Sequence, residues 1–268
     1  MMKWSLIALL TAVCLPGIAV AIPRTMKLIK ERAARVQSTR KLPPTPVLVL
    51  AQGFQTIVVS GLFALGGTWA AIHTNLGAPF FQALLSDESA LGELKTQILP
   101  ALGVGVAGAL IFLLLFYLVF RPRLDSQTVV AMEQVRMSNG LWGRVLYGGV
   151  VEEVMFRFGF MNLLVWGFQA LMGGTGWTAI WLAIVISGVL FGLGHIPSYV
   201  QAGCNRSFWF YAAEVALNLW AALIFGWLFA RYGLLAAMIA HAVFHLVWYP
   251  FDRIFAESQD ELIIVSES

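Results

Sequence analysis

Glu152 and Glu153 stand side by side in this sequence, and Arg157 follows the second of them by four residues. His195 comes at the end of the next apolar run, Glu214 lies within the one after it, and His241 and His245 share the last. An ionisable group inside a membrane segment costs about 2.5–3.5 kcal/mol to insert. These side chains must therefore face a polar, water-bearing cavity between helices rather than lipid. Glu153 and Arg157, four apart, share a helix face and can form a hydrogen-bonded ion pair. Glu152 points about 100° away on the 3.6-residue period and is left without that partner. Two adjacent acids in different surroundings are the usual way to separate a structural carboxylate from a reactive one. His241 and His245, also four apart, project from one face together. A carboxylate hydrogen-bonded to water, with a histidine nearby, makes a general base for hydrolysis.

The elements that must position these groups follow from composition. Of 268 residues, 59% are hydrophobic and 12% charged, whereas an ordinary soluble domain carries about 25% charge. The mean hydropathy of +0.80 agrees. There is too little charge to cover a water-facing surface, which excludes a soluble enzyme, a disordered chain and a disulfide scaffold. The reading is an all-α, polytopic transmembrane helix bundle. A crossing helix needs about 20 mostly apolar residues. Seven stretches qualify: 4–22, 47–72, 97–120, 142–171, 176–195, 208–230 and 233–250, the fourth long enough to be tilted or broken. The first reads as a retained anchor, because its apolar run exceeds a usual signal core and leads straight into a basic loop. Residues 1–140 then hold the anchor and two further helices, 141–251 the chemistry-bearing bundle, and 252–268 an acidic tail.

Loop charges orient the bundle. Residues 23–46 hold Arg24, Lys27, Lys30, Arg32, Arg35, Arg40 and Lys41 against the single acid Glu31, which assigns that loop to the cytoplasm. The loop at 73–96 has Asp87, Glu88 and Glu93 against Lys95 and suits the outside, and the loop at 121–141 returns with Arg121, Arg123 and Arg136. The expected location is an integral, multi-pass protein of a plasma or bacterial inner membrane. Its polar groups converge on the cytoplasmic half, with His195 placed just before Pro197 and the histidine pair before Pro250. The net charge of +3 reflects these topology signals, so no nucleic-acid partner is expected. Cys14 lies in an apolar run and Cys204 in a loop, so no structural disulfide is expected either.

Duller readings stand beside the chemical ones. Glu153 with Arg157 is a structural ion pair even in an enzyme. Glu214 reads as structural or water-facing. Gly188, Gly192 and Gly194 most simply allow close helix packing.

In order and spacing, Glu152-Glu153-Val-Met-Phe-Arg157 (EExxxR), Phe191-Gly-Leu-Gly-His195 (FxxxH) and His241-Ala-Val-Phe-His245 resemble the CPBP family of intramembrane proteases, which includes the CAAX prenyl endopeptidases and bacteriocin-processing or immunity-linked proteins. The resemblance covers roughly 141–250. It implies peptide-bond hydrolysis within a helical membrane bundle, with membrane-associated, possibly lipidated, peptide or protein substrates. Carried over by motif, Glu152 and His195 activate water, while His241 and position 245 stabilise the oxyanion. The family usually has Asn at the last position, and His245 is a departure from it. A neutral histidine still offers a hydrogen-bond donor.

No cofactor is required by this reading. A zinc-dependent alternative uses Glu152, His195, His241 and His245 as a tetrahedral ligand set, though the chain lacks the HExxH spacing of zinc proteases. A different class is a non-catalytic immunity, chaperone or scaffold protein that keeps the motifs for structure. A transporter with a proton relay is a third, disfavoured by a single polar cluster and no evident repeat.

Overall fold

The computed structural model describes residues 2–35, 42–86, 88–174 and 176–267, with side-chain surroundings given up to Phe255 except at residue 35. Arg40 and Lys41 of the basic loop, Asp87 of the acidic loop and the end of the acidic tail lie outside what is described. Every long element is helical, with no strand among the described residues. Among the described residues seven helical runs are long and apolar enough to cross a membrane: Trp4–Ala34, Thr45–Thr74, Ala90–Arg123, Ser126–Met172, Trp177–Gln201, Phe208–Tyr232 and Leu234–Phe255. All seven sequence-predicted spans are present, and each is longer than its apolar run. The chain is an integral, multi-pass membrane protein.

The elements are α1 (Trp4–Arg35), α2 (Thr45–Thr74), a short α3 (Pro79–Ala83), α4 (Ala90–Leu114) and α5 (Ser126–Gly143). A π-helix (Arg144–Met161) follows, then α6 (Asn162–Met172), α7 (Trp177–Gln201), α8 (Phe208–Tyr232) and α9 (Leu234–Glu267). Local chemistry sets the ends. Asp125, Ser89 and Ser207 accept from the amides of Thr128, Gly92 and Phe210 to cap α5, α4 and α8. Gly173, at φ +71°, closes α6 in the left-handed conformation.

Alternation of the helices gathers the C-terminal end of α1 and the 123–126 and 201–208 connections at one end. There Arg24 donates to the Asn139 carbonyl at 2.8 Å, and Asn205 to Asp125 at 2.8 Å. At the opposite end the Leu234 amide meets the Gly77 carbonyl, and Gln97 accepts from the amide of Ala236. The π-helix is the central column, packed by α1, α2 and α9. A Cβ at Gly17 of α1 would lie 2.5 Å from the Leu146 carbonyl oxygen, so only glycine lets α1 come this near. Large apolar side chains on the outer faces, among them Leu50, Phe54, Leu99 and Phe208, are exposed as a lipid-facing surface requires.

Two expectations are corrected here. Residues 121–141, taken as a loop, are mostly α5, a helix packed against α1, α9 and the π-helix. Its charged side chains find ion-pair partners inside the bundle: Glu133 binds Arg121 at 3.2 Å and Arg136 binds Asp252 at 3.0 Å. Polarity there marks buried ion pairs rather than a solvent loop. Asp252, counted with the acidic tail, is fully buried, and α9 runs through Pro250 past it. In the same way α7 runs through Pro197 to Gln201. Gly140, at φ +62° and ψ 172°, kinks α5 under the Arg24 guanidinium just ahead of the predicted fourth span, 142–171.

Candidate active site

The π-helix carries the acidic pair. Such wide-turn helices are rare and usually confined to one turn; this one runs for 18 residues. Glu153 points into the packed interior at 0% exposure and holds two partners at once. Its Oε2 lies 3.4 Å from Arg157 Nε, and its Oε1 accepts from His241 Nδ1 at 2.7 Å. Arg157 is further held over the rings of Phe191 and Phe225. The Glu153–Arg157 pair was legible from spacing. The bond to His241, 88 residues on, was not.

Glu152 is only partly buried and faces a cavity of about 600 Å³, where no protein hydrogen bond or ion pair engages its carboxylate. The same cavity is lined by His195, Glu214, Asn218, His241 and His245. All four residues singled out as chemical, and Glu214 with them, therefore share one chamber. His195 Nδ1 lies 2.8 Å from the Phe191 carbonyl one turn back. Since a carbonyl can only accept, that nitrogen carries the proton and Nε2 keeps its lone pair. The Phe of FxxxH thus serves twice, packing its ring against His195 at 4.5 Å and fixing the tautomer through its backbone.

His241 and His245 form a column, ring centroids 4.9 Å apart, between Phe225 on one side and Trp248 on the other. Both present Nε2 to Gly148: a Cβ there would lie 2.6 Å from that of His245 and 3.2 Å from that of His241. Gly148 precedes Glu152 by about one turn, so its missing side chain is what admits both imidazoles to the acid. His245 Nδ1 is buried with no partner. A buried orphan N–H costs more than an orphan lone pair, which puts the proton of neutral His245 on Nε2, facing the cavity. Glu214 forms no ion pair within the bundle; its backbone carbonyl accepts from Asn218 at 2.7 Å.

Among the described residues no three His, Cys, Asp or Glu side chains are grouped to hold an ion, and His241 Nδ1 is committed to Glu153. Cys14 and Cys204 are both free, as expected.

Sequence reasoning missed one further feature. Arg136 on α5 and Arg144 at the head of the π-helix both bind Asp252 of α9, at 3.0 and 2.8 Å, and both line the cavity. An acid two residues beyond Pro250, in a chain with two unpaired arginines upstream, was the available signal.

Residues 139–247, the segment that carries all three motifs, match the family described as type II CAAX prenyl endopeptidase Rce1-like. No curated protein and no solved structure matches the chain.

Proposed function

We propose that this chain, whose residues 139–247 match the Rce1-like family, is a glutamate-dependent intramembrane endopeptidase acting on membrane-associated, CAAX-type substrates. The observation that carries the reading is the unpartnered Glu152 carboxylate in one chamber with His195, His241 and His245.

In the proposed reaction a water sits between Glu152 and the Nε2 lone pair of His195. Glu152 takes its proton as the oxygen attacks the substrate carbonyl carbon. The oxyanion that forms accepts from His245 Nε2–H and from His241, which donates from Nε2 when doubly protonated. The carboxylate of Glu153 stabilises that imidazolium from the other side, at Nδ1. The proton held by Glu152 passes to the departing nitrogen, the C–N bond breaks as the oxyanion collapses, and the second water proton follows through His195 Nε2, so that a carboxylate and an ammonium leave. His245 fills the oxyanion role without an amide side chain, because its orphaned Nδ1 keeps the donor pointed inward.

The test compares protein termini by mass spectrometry in membranes carrying wild type or Glu152→Gln at matched abundance. New termini with wild type alone are expected, with turnover at least about 100-fold lower in the variant, the scale of a lost general base. Identical termini would remove Glu152 from the chemistry and favour a binding or scaffold role. Chelation followed by zinc addition provides the second arm: activity unchanged by chelator is expected, and loss restored by zinc specifically would favour the metal mechanism.

A further inference from the structure

One end of the cavity carries a charge that its surroundings do not neutralise. Arg136 and Arg144, both about 5% exposed, share a single carboxylate, that of Asp252. Arg136 spends Nε and Nη2 on Asp252, and Arg144 spends Nη1 on Asp252 and Nε on the Arg136 carbonyl. Arg136 Nη1 then has no hydrogen-bond partner, and Arg144 Nη2 reaches only the Met137 sulfur at 3.9 Å. The guanidinium planes are fixed by aromatic faces, Arg136 over Phe116 and Trp248, Arg144 over Trp248 and Tyr249. Two rigid guanidiniums that share one carboxylate on the cavity wall, with donors left over, make a built anion site.

We propose that Arg136 and Arg144 form a carboxylate-binding subsite that holds the C-terminal end of the substrate chain. The inference rests on the hydrolytic reading of the chamber and adds to it the recognition of a free C-terminus. Arg144, Gly148 and Glu152 follow each other at four-residue steps along one helix, so Arg144 lies at most about 12 Å from Glu152 along the axis. Three to four extended residues bridge that distance, at roughly 3.3–3.6 Å each. The carboxylate on the arginines and the bond facing Glu152 can therefore belong to one chain. The other acids on the cavity wall, Glu152 and Glu214, form no ion pair with either arginine. A lipid headgroup phosphate shares the anionic chemistry but offers no backbone to the chamber.

The experiment uses a fluorescent prenylated CAAX peptide made with either a free C-terminal carboxylate or a carboxamide. Binding is measured to full-length Glu152→Gln protein in neutral-lipid vesicles, and cleavage with wild type. The carboxamide should bind roughly 10- to 100-fold more weakly, the scale of a hydrogen-bonded charge. In wild type the loss should fall on KM with kcat little changed, and Arg144→Gln should erase the difference between the two peptides. Should that variant fail to fold, the two-peptide comparison needs no arginine variant at all. Equal binding of the two peptides would overturn the subsite, as would equal binding that phosphatidylglycerol vesicles compete away, which would make it a headgroup site. Preferential binding without cleavage by wild type would keep the subsite and defeat the hydrolytic reading instead.

Discussion

At the residue scale, Glu153 decides whether the chamber holds its shape. Its buried carboxylate forms an ion pair with Arg157 and accepts a hydrogen bond from His241, and removing one partner of a buried ion pair costs about 3–5 kcal/mol because the other charge is left unpaired. Glu153→Gln should therefore lower the thermal midpoint and the abundance of the protein, whereas Glu152→Gln should abolish turnover and leave both unchanged. Thermal unfolding of the two purified variants separates the roles. His245 offers a finer test. His245→Asn should keep turnover within about tenfold of wild type, since an amide restores a donor, while His245→Ala should lose about 100-fold or more, the usual effect of deleting one oxyanion donor. Sequence spacing made the Glu153–Arg157 pair and the shared face of His241 and His245 readable, because both are local, i to i+4 relations. The bond from Glu153 to His241 and the Asp252 arginine pair join distant helices, and nothing in the spacing of one helix encodes which acid of another it meets.

At the scale of elements, the π-helix and α9 meet across Gly148, and the approach leaves no room for a side chain. Gly148→Ala would place a Cβ 2.6 Å from His245 Nε2, so the imidazole must turn away from Glu152. Turnover should drop by at least about tenfold, while the other contacts of the two helices keep the fold intact. Activity and unfolding midpoint measured side by side check this. The N-terminus of α5 gives a pH-dependent test. Burial opposes ionisation of Asp125, but hydrogen bonds from the Thr128 hydroxyl and amide and from Asn205 together outweigh it and hold its carboxyl below the usual range. A depressed carboxylate pKa adds stability that is present above about pH 4, the unfolded value, and is lost as pH falls through the folded value. Asp125→Asn should thus narrow the gap between the unfolding midpoints at pH 6 and pH 3. Hydropathy located every span but misread α5, because its polar residues look outward-facing in sequence and are paired inward in the fold.

At the scale of the whole molecule, orientation turns on fewer charges than the sequence suggested. Arg121 and Arg136 are engaged by Glu133 and Asp252, so the remaining weight falls on the 23–46 segment, where Arg24, Lys27, Lys30 and Arg32 still outnumber Glu31. The C-terminal part of α1, which carries these four, shares its end of the bundle with the 201–208 connection, and the cavity reaches Leu28, Ile29 and Ser198 near that same end. On the positive-inside rule we propose that this end faces the cytoplasm. Arg206 and Glu88 are exposed at opposite ends. Single cysteines can be placed at either, because the native thiols give little background: Cys14 is buried in α1, and burial, with Glu214 nearby, pushes the Cys204 thiol up to about 12. A thiol held that high is almost entirely protonated at neutral pH and does not alkylate. An impermeant maleimide added to intact cells should label Glu88→Cys and spare Arg206→Cys until the membrane is opened. The reverse pattern would invert the molecule and open its chamber to the outside, where no cytoplasmic chain could reach Glu152.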